Sequence, residues 1–88
     1  MREVVLCESD VHSPEQLHAY LCRALYFPAY YGENFAALSD CLGDICCPTR
    51  VVIYRDGSIE APWFDKACAI IGRAALENHA LDVVVKQA

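Results

Sequence analysis

The sequence has no long apolar run and few basic residues, and each shortage excludes a class of function. No apolar run exceeds five residues, whereas a membrane-spanning helix needs about 20. Seven Lys and Arg stand against twelve Asp and Glu, for a formal net charge of −5. Binding to nucleic acid needs clustered positive charge, so we expect none. The amino-terminal stretch is too acidic, and its apolar run too short, for a signal peptide. We therefore expect a cytoplasmic protein.

The six cysteines lack the spacings of zinc or redox sites. No Cys-x-x-Cys pair occurs, and the group of Cys41, Cys46 and Cys47 has no His at zinc-ligand spacing. Most of the cysteines lie in apolar patterns, where Cys behaves as a small buried hydrophobe. Because nothing indicates export, we expect reduced, structural cysteines, with no metal and no cofactor.

The 88 residues, 56% of them hydrophobic, predict one compact domain over residues 1–88. Three short apolar runs predict strands, of which the first is continuous enough to be buried on both faces. The predicted strands are Val4–Cys7, Val51–Tyr54 and Leu81–Val85. Three amphipathic stretches between them predict helices. The order β-α-α-β-α-β indicates an α/β fold with a three-stranded parallel sheet.

The helix boundaries follow from capping residues and prolines. Ser13 caps the first helix, Pro14 suits its first turn, Gln16 completes a capping box, and Pro28 stops it. The second helix is predicted from about Asn34 to Ile45 and the third from about Trp63 to Asn78. Their predicted apolar faces are Leu17, Tyr20, Leu21, Ala24 and Leu25, then Leu38, Leu42 and Ile45, then Trp63, Ala67, Ile70, Ile71 and Ala74. His18 lies off the first of these stripes, so we expect it to be solvated.

The stretch from Ala24 to Thr49 contains no Lys or Arg but carries Glu33, Asp40 and Asp44. At about 100° per residue, Asp40 points directly away from the predicted core. Asp44 is one turn further on, and like charges at that spacing destabilise a helix slightly. A partner of opposite charge would compensate that repulsion, although a solvated acidic face is the simpler interpretation.

The segment Pro28-Ala29-Tyr30-Tyr31-Gly32-Glu33-Asn34-Phe35-Ala36-Ala37-Leu38-Ser39-Asp40-Cys41-Leu42 closely resembles the signature of the barstar family, small inhibitors of secreted bacterial ribonucleases. The resemblance implies a three-stranded parallel sheet packed with about three helices. It also implies an immunity protein that binds a basic ribonuclease, or a related toxin, as a 1:1 heterodimer. The implied mechanism is an acidic second helix that imitates RNA phosphates in the nuclease active site.

Carried over by position, the resemblance implies a partner-binding surface on the second helix and the loop before it. Its residues are Tyr30, Tyr31, Gly32, Asn34, Phe35, Ala36, Ser39, Asp40, Gly43 and Asp44. Asp40 matches the central aspartate that occupies a phosphate subsite. Ala36 and Ser39 stand where the best-known family member has an aspartate and a tryptophan, so partner choice should differ. The family also has a cis peptide before the proline that matches Pro48.

Two other functions stay open at this stage. A barstar-like fold could serve as an interaction module for a partner that is not a nuclease, because fold does not fix function. A small metal or acid–base enzyme could use Glu33, Asp40 and Asp44, since Mg²⁺ needs only one or two protein carboxylates. No phosphate loop and no Ser/His or Cys/His motif supports the enzyme, so we expect a non-catalytic protein.

Overall fold

The computed structural model describes residues 2–29, 31–57 and 61–87. Three parallel strands form one sheet in the order β1-β2-β3, with β2 in the centre. Their bounds are Arg2–Cys7 for β1, Thr49–Arg55 for β2 and Leu81–Gln87 for β3. The helices are α1 (Pro14–Ala24), α2 (Phe35–Gly43) and α3 (Pro62–Glu77). The predicted α/β fold and the element order are confirmed.

The start of α1 follows the predicted capping chemistry, with one shift. Ser13 Oγ accepts a hydrogen bond from the Gln16 N–H at 3.2 Å, and Pro14 occupies the first turn. In a capping box the Gln16 side chain would accept from the N–H of the N-cap, Ser13. Here its Oε1 accepts instead from the N–H of the preceding residue, His12, at 2.8 Å. Both bonds satisfy backbone donors that no helical carbonyl can reach.

The core lies on one face of the sheet. Alternate strand residues Val4, Leu6, Val51 and Ile53 belong to the core cluster, whereas Val5 is 41% exposed. The prediction that β1 is buried on both faces is therefore wrong. The physical reason is topological: two right-handed crossovers that step in the same direction across a sheet place their helices on the same face.

The helices bury most of the predicted apolar residues. Every residue predicted for the stripes of α1 and α2 packs in or against the core. In α3 the largest fully buried side chain is Phe64, at 0% exposure, which the predicted stripe omitted. His18 is only 3% exposed, so the prediction that it is solvated is wrong. It is buried because the chain after α1 folds back over it.

The carboxyl ends of β1 and β2 are joined by a buried carboxylate that the sequence did not indicate. Glu8 follows β1 and is 2% exposed. Its Oε1 accepts from the Arg55 Nε–H at 3.0 Å and from the Asp56 N–H at 2.9 Å. Arg55 also contacts Asp65 of α3. One acidic side chain therefore fixes the end of the central strand to the end of its neighbour.

Three further observations concern membrane spans, the cysteines and the peptide bond before Pro48. None of the helices in the described part of the chain is long and apolar enough to span a bilayer. The six cysteines are free thiols, and Cys46 and Cys47 are exposed. The Cys47–Pro48 peptide is trans, unlike the cis bond of the family pattern.

Candidate protein-binding site

The second helix presents the acidic face that the sequence predicted. Asp40 is exposed and points away from Leu38 and Leu42, both at 0% exposure. Of the predicted site residues within the described ranges, seven are exposed, Phe35 is half-buried and Tyr31 is buried; Tyr30 lies outside the described residues. We call the five exposed residues of α2 and its carboxyl end the α2 ridge: Ala36, Ser39, Asp40, Gly43 and Asp44.

The amino end of α2 is held by the loop before it. Asn34 is the N-cap, and its Oδ1 accepts from the Ala37 N–H at 2.8 Å. The same side chain donates from Nδ2 to the Gly32 carbonyl at 3.3 Å. A Cβ at position 32 would lie 3.2 Å from that Nδ2, so glycine leaves room for the cap. Two residues predicted to bind a partner therefore also fix where the helix begins.

The carboxyl end of α2 is held from another helix. Asn78, the residue after α3, donates from Nδ2 to the carbonyls of Leu42 at 2.9 Å and Ile45 at 3.0 Å. Its Oδ1 accepts from the Ala80 N–H. Because α3 supplies this cap, α2 ends at Gly43, two residues before the predicted end, and Asp44 becomes its C-cap. Asn78 thus holds one carbonyl in the last turn of α2 and one just beyond its end.

A buried aromatic cluster supports the loop and α2 from below. The Tyr31 hydroxyl is hydrogen-bonded to His18 Nδ1, and the His18 and Phe35 ring centroids are 5.4 Å apart. Burial lowers the pKa of His18 and raises that of Tyr31. The imidazole is therefore neutral and the phenol keeps its proton, so the Tyr31 O–H donates to Nδ1. The cluster fixes the loop and the first turn of α2 to α1.

The carboxylates of the α2 ridge have no counter-ion among the residues that the structure describes. Neither Asp40 nor Asp44 enters an ion pair with any residue that the structure describes. No basic residue lies in the last turn of α2 either. Like charges one turn apart, at the negative end of a helix dipole, are unfavourable in the free protein. A cationic partner would remove this cost.

A cleft flanks the α2 ridge on each side. The first cleft, of about 390 Å³, is lined by Arg2, Leu25, Tyr26, Phe27, Pro28, Cys41, Asp44, Ile45, Cys46 and Cys47. The second, of about 450 Å³, is lined by Ser39, Gly43, Arg73, Ala74, Glu77, Asn78 and His79. A convex helix between two clefts is a shape that fits a concave partner site.

The described residues contain no group of three or more His, Cys, Asp or Glu side chains that could hold a metal ion. The enzyme alternative named Glu33, Asp40 and Asp44, with one or two of these carboxylates as Mg²⁺ ligands. What the arrangement does offer is a rigid acidic helix on the surface, which is suited to contact with a basic protein.

Comparison with known proteins agrees with this geometry. Residues 1–81 match the family model described as Barstar (barnase inhibitor). The chain belongs to the barstar family. A Bacillus subtilis (strain 168) protein named "Putative ribonuclease inhibitor YrdF" is 41% identical over 54 residues, which are 60% of this chain and 59% of that protein. The chain thus spans about three fifths of the curated relative it matches. The names of the family and of this relative both describe inhibitors.

Two residues that this barstar-family chain uses to hold the site were missed by sequence reasoning. His18 was missed because helical periodicity describes the face of α1 toward the sheet, and the loop covers a different face. Asn78 was missed because its partners lie more than 30 residues away along the chain. An asparagine directly after a helix is a weak signal, since it also occurs in ordinary helix ends.

Proposed function

We propose that this protein inhibits a bacterial ribonuclease by placing the α2 ridge and the loop before it in the nuclease active site. The observation that carries the proposal is the pair of exposed carboxylates, Asp40 and Asp44, on a helix fixed at both ends. Neither carboxylate forms an ion pair within the described ranges of the chain. A ribonuclease groove is basic because it holds RNA phosphates. Carboxylates that enter it gain charge-assisted hydrogen bonds.

The proposal assigns different roles to the site residues. Asp40 sits at the crest of the ridge and takes the position of an RNA phosphate. Gly32, Asn34, Ala36, Ser39, Gly43 and Asp44 form the surrounding contact surface. Tyr31 and Phe35, which pack on His18, hold that surface in place. Tyr30 is assigned to the contact surface by its place in the sequence alone.

The cellular role that follows is immunity. An uninhibited ribonuclease would degrade the RNA of its own cell, so the inhibitor acts in the cytoplasm and forms a 1:1 complex. A net charge of −5 favours fast association with a basic enzyme through long-range attraction. That attraction weakens as salt screens it.

The test is inhibition of RNA cleavage by a panel of purified small bacterial ribonucleases, with a fluorogenic RNA substrate and equimolar protein. For the enzyme that is inhibited, we expect Asp40→Ala to weaken binding by at least about 2 kcal/mol, which is about 30-fold in Kd. Asp40→Asn and Glu3→Gln are matched controls, because each removes one charge without changing size. Glu3 is exposed on β1.

The two controls separate specific contact from general attraction. We expect Asp40→Asn to raise the dissociation rate strongly, whereas Glu3→Gln slows association slightly and only at low salt. Equal effects of the two would refute a specific role for Asp40. A wild-type protein that inhibits no member of the panel but binds a protein without nuclease activity would favour the interaction-module alternative.

A further inference from the structure

The second residue after the end of α1, Tyr26, has an unusual backbone conformation. The chain leaves the helix with a hydrogen bond from the Phe27 N–H to the Cys22 carbonyl at 2.9 Å. This geometry places Tyr26 in the left-handed region, at φ 57°. The position is one where glycine is preferred, because a Cβ crowds the backbone there. A bulky residue at this φ is uncommon and disfavours the folded state.

The Tyr26 side chain does not stabilise the core in return. It is 77% exposed, and it is the one Phe, Tyr or Trp side chain in the described part of the chain that is exposed. Its described contact is with Arg2, whose guanidinium carbon lies 4.9 Å from the ring centroid. A strained residue with an exposed ring is a reason to look for a function.

Tyr26 lies next to the α2 ridge. It lines the first cleft together with Asp44, which is one helical turn from Asp40. Arg2 lines the same cleft but lies over the Tyr26 ring, and Asp44 makes no ion pair with a described residue. The cleft therefore combines an aromatic ring with a carboxylate that no described cation pairs with. The α2 ridge itself has no aromatic residue, whereas protein interfaces usually depend on aromatic anchors.

We propose that Tyr26 contacts the partner, and that the cleft it shares with Asp44 receives a basic side chain of the ribonuclease. The methylene stem of that side chain packs on the Tyr26 ring, and its charged end pairs with Asp44. The proposal rests on the function proposed above and extends its contact surface across the first cleft to the end of α1. It also explains why the strained conformation is retained.

The decisive variant is Tyr26→Gly, tested against the ribonuclease that the panel identifies. Glycine removes the ring and also removes the left-handed strain. We expect the variant to unfold at the same temperature as the wild type or higher, while its Kd for the nuclease rises at least tenfold. Tyr26→Phe keeps the ring in the same conformation, so its Kd should stay within about threefold of the wild type.

A double-mutant cycle tests the shared cleft. If one basic side chain contacts both groups, the double variant Tyr26→Gly with Asp44→Asn raises Kd by less than the product of the two single-variant fold-increases. Independent effects would overturn the shared site. A Tyr26→Gly variant with wild-type Kd would overturn the role of Tyr26, and if Asp40→Ala still weakens binding, the proposed function stands. A wild-type protein that inhibits no ribonuclease would overturn both proposals.

Discussion

Replacing His18 with leucine tests whether the candidate binding loop is fixed through a buried hydrogen bond. Leucine fills a similar volume but leaves the Tyr31 hydroxyl without its partner. A buried polar group that loses its only partner costs about 1–3 kcal/mol. Tyr31→Phe should cost a similar amount, because it leaves His18 Nδ1 unpaired. Replacing both partners removes the two unpaired groups together, so the double variant should lose less than the sum of the single losses.

The assay is urea unfolding of the wild type, both single variants and the double variant at pH 7.5. A domain of this size has a total stability of about 5–10 kcal/mol, so each variant should remain folded and measurable. We expect a coupling free energy of about 1–2 kcal/mol between the two positions. Strictly additive losses would refute the hydrogen bond as the link between α1 and the loop.

Burial of His18 also predicts that the stability of the wild type depends on pH. Burial lowers the pKa of folded His18 below its ordinary value of 6.5, although Glu33 and Glu15 oppose the shift. The unfolded chain therefore binds a proton more readily than the folded protein. The contribution of His18 to the free energy of unfolding is therefore fully present above pH 6.5. It is lost as the pH falls toward the folded pKa, by up to about 1.4 kcal/mol per pH unit. His18→Leu should remove that loss; an unchanged difference between the two proteins from pH 7.5 to 5 would contradict the assignment.

Two further predictions concern residues that hold the fold around the site. Glu8→Ala should lower stability by about 2–3 kcal/mol, because it removes the carboxylate oxygen that accepts from both the Arg55 Nε–H and the Asp56 N–H. Glu8→Gln keeps an acceptor oxygen and should lose less, so equal losses in urea unfolding would contradict the hydrogen-bond account. Asn78→Asp should cost more than Asn78→Ala and should speed hydrogen exchange of the α2 amides, because a carboxylate cannot donate to the Leu42 and Ile45 carbonyls and repels them. An aspartate variant as stable as the alanine variant would refute that cap.

Patterns that are local in the sequence predicted most of the fold. Ser13 and Pro14 marked the start of α1 because capping depends on residues within one turn. Asp40 was placed on the exposed face because the period of a helix alone decides which side a residue takes. Phe64 was missed because the predicted stripe of α3 began at its neighbour, Trp63, and at the first turn of a helix either residue can face the core.

Tertiary contacts decided what the sequence could not show. Val5 was expected to be buried because β1 is uniformly apolar, yet the topology covers one face of the sheet. The two supports of the site, His18 and Asn78, depend on contacts 13 or more residues apart. Neither periodicity nor capping rules can assign such contacts. The family signature predicts the surface, but two of the groups that hold it, His18 and Asn78, lie outside that signature.

The supports are needed because α2 would not be stable alone. Helices of nine residues are marginal in water, and this one also has two carboxylates one turn apart near its negative end. Burial of Leu38 and Leu42 offsets part of that cost. The Asn34 cap, the Asn78 cap and the His18 cluster add hydrogen bonds at both ends and below. A helix fixed in this way loses little conformational entropy when it meets a partner, so most of the attraction of Asp40 and Asp44 is available for binding.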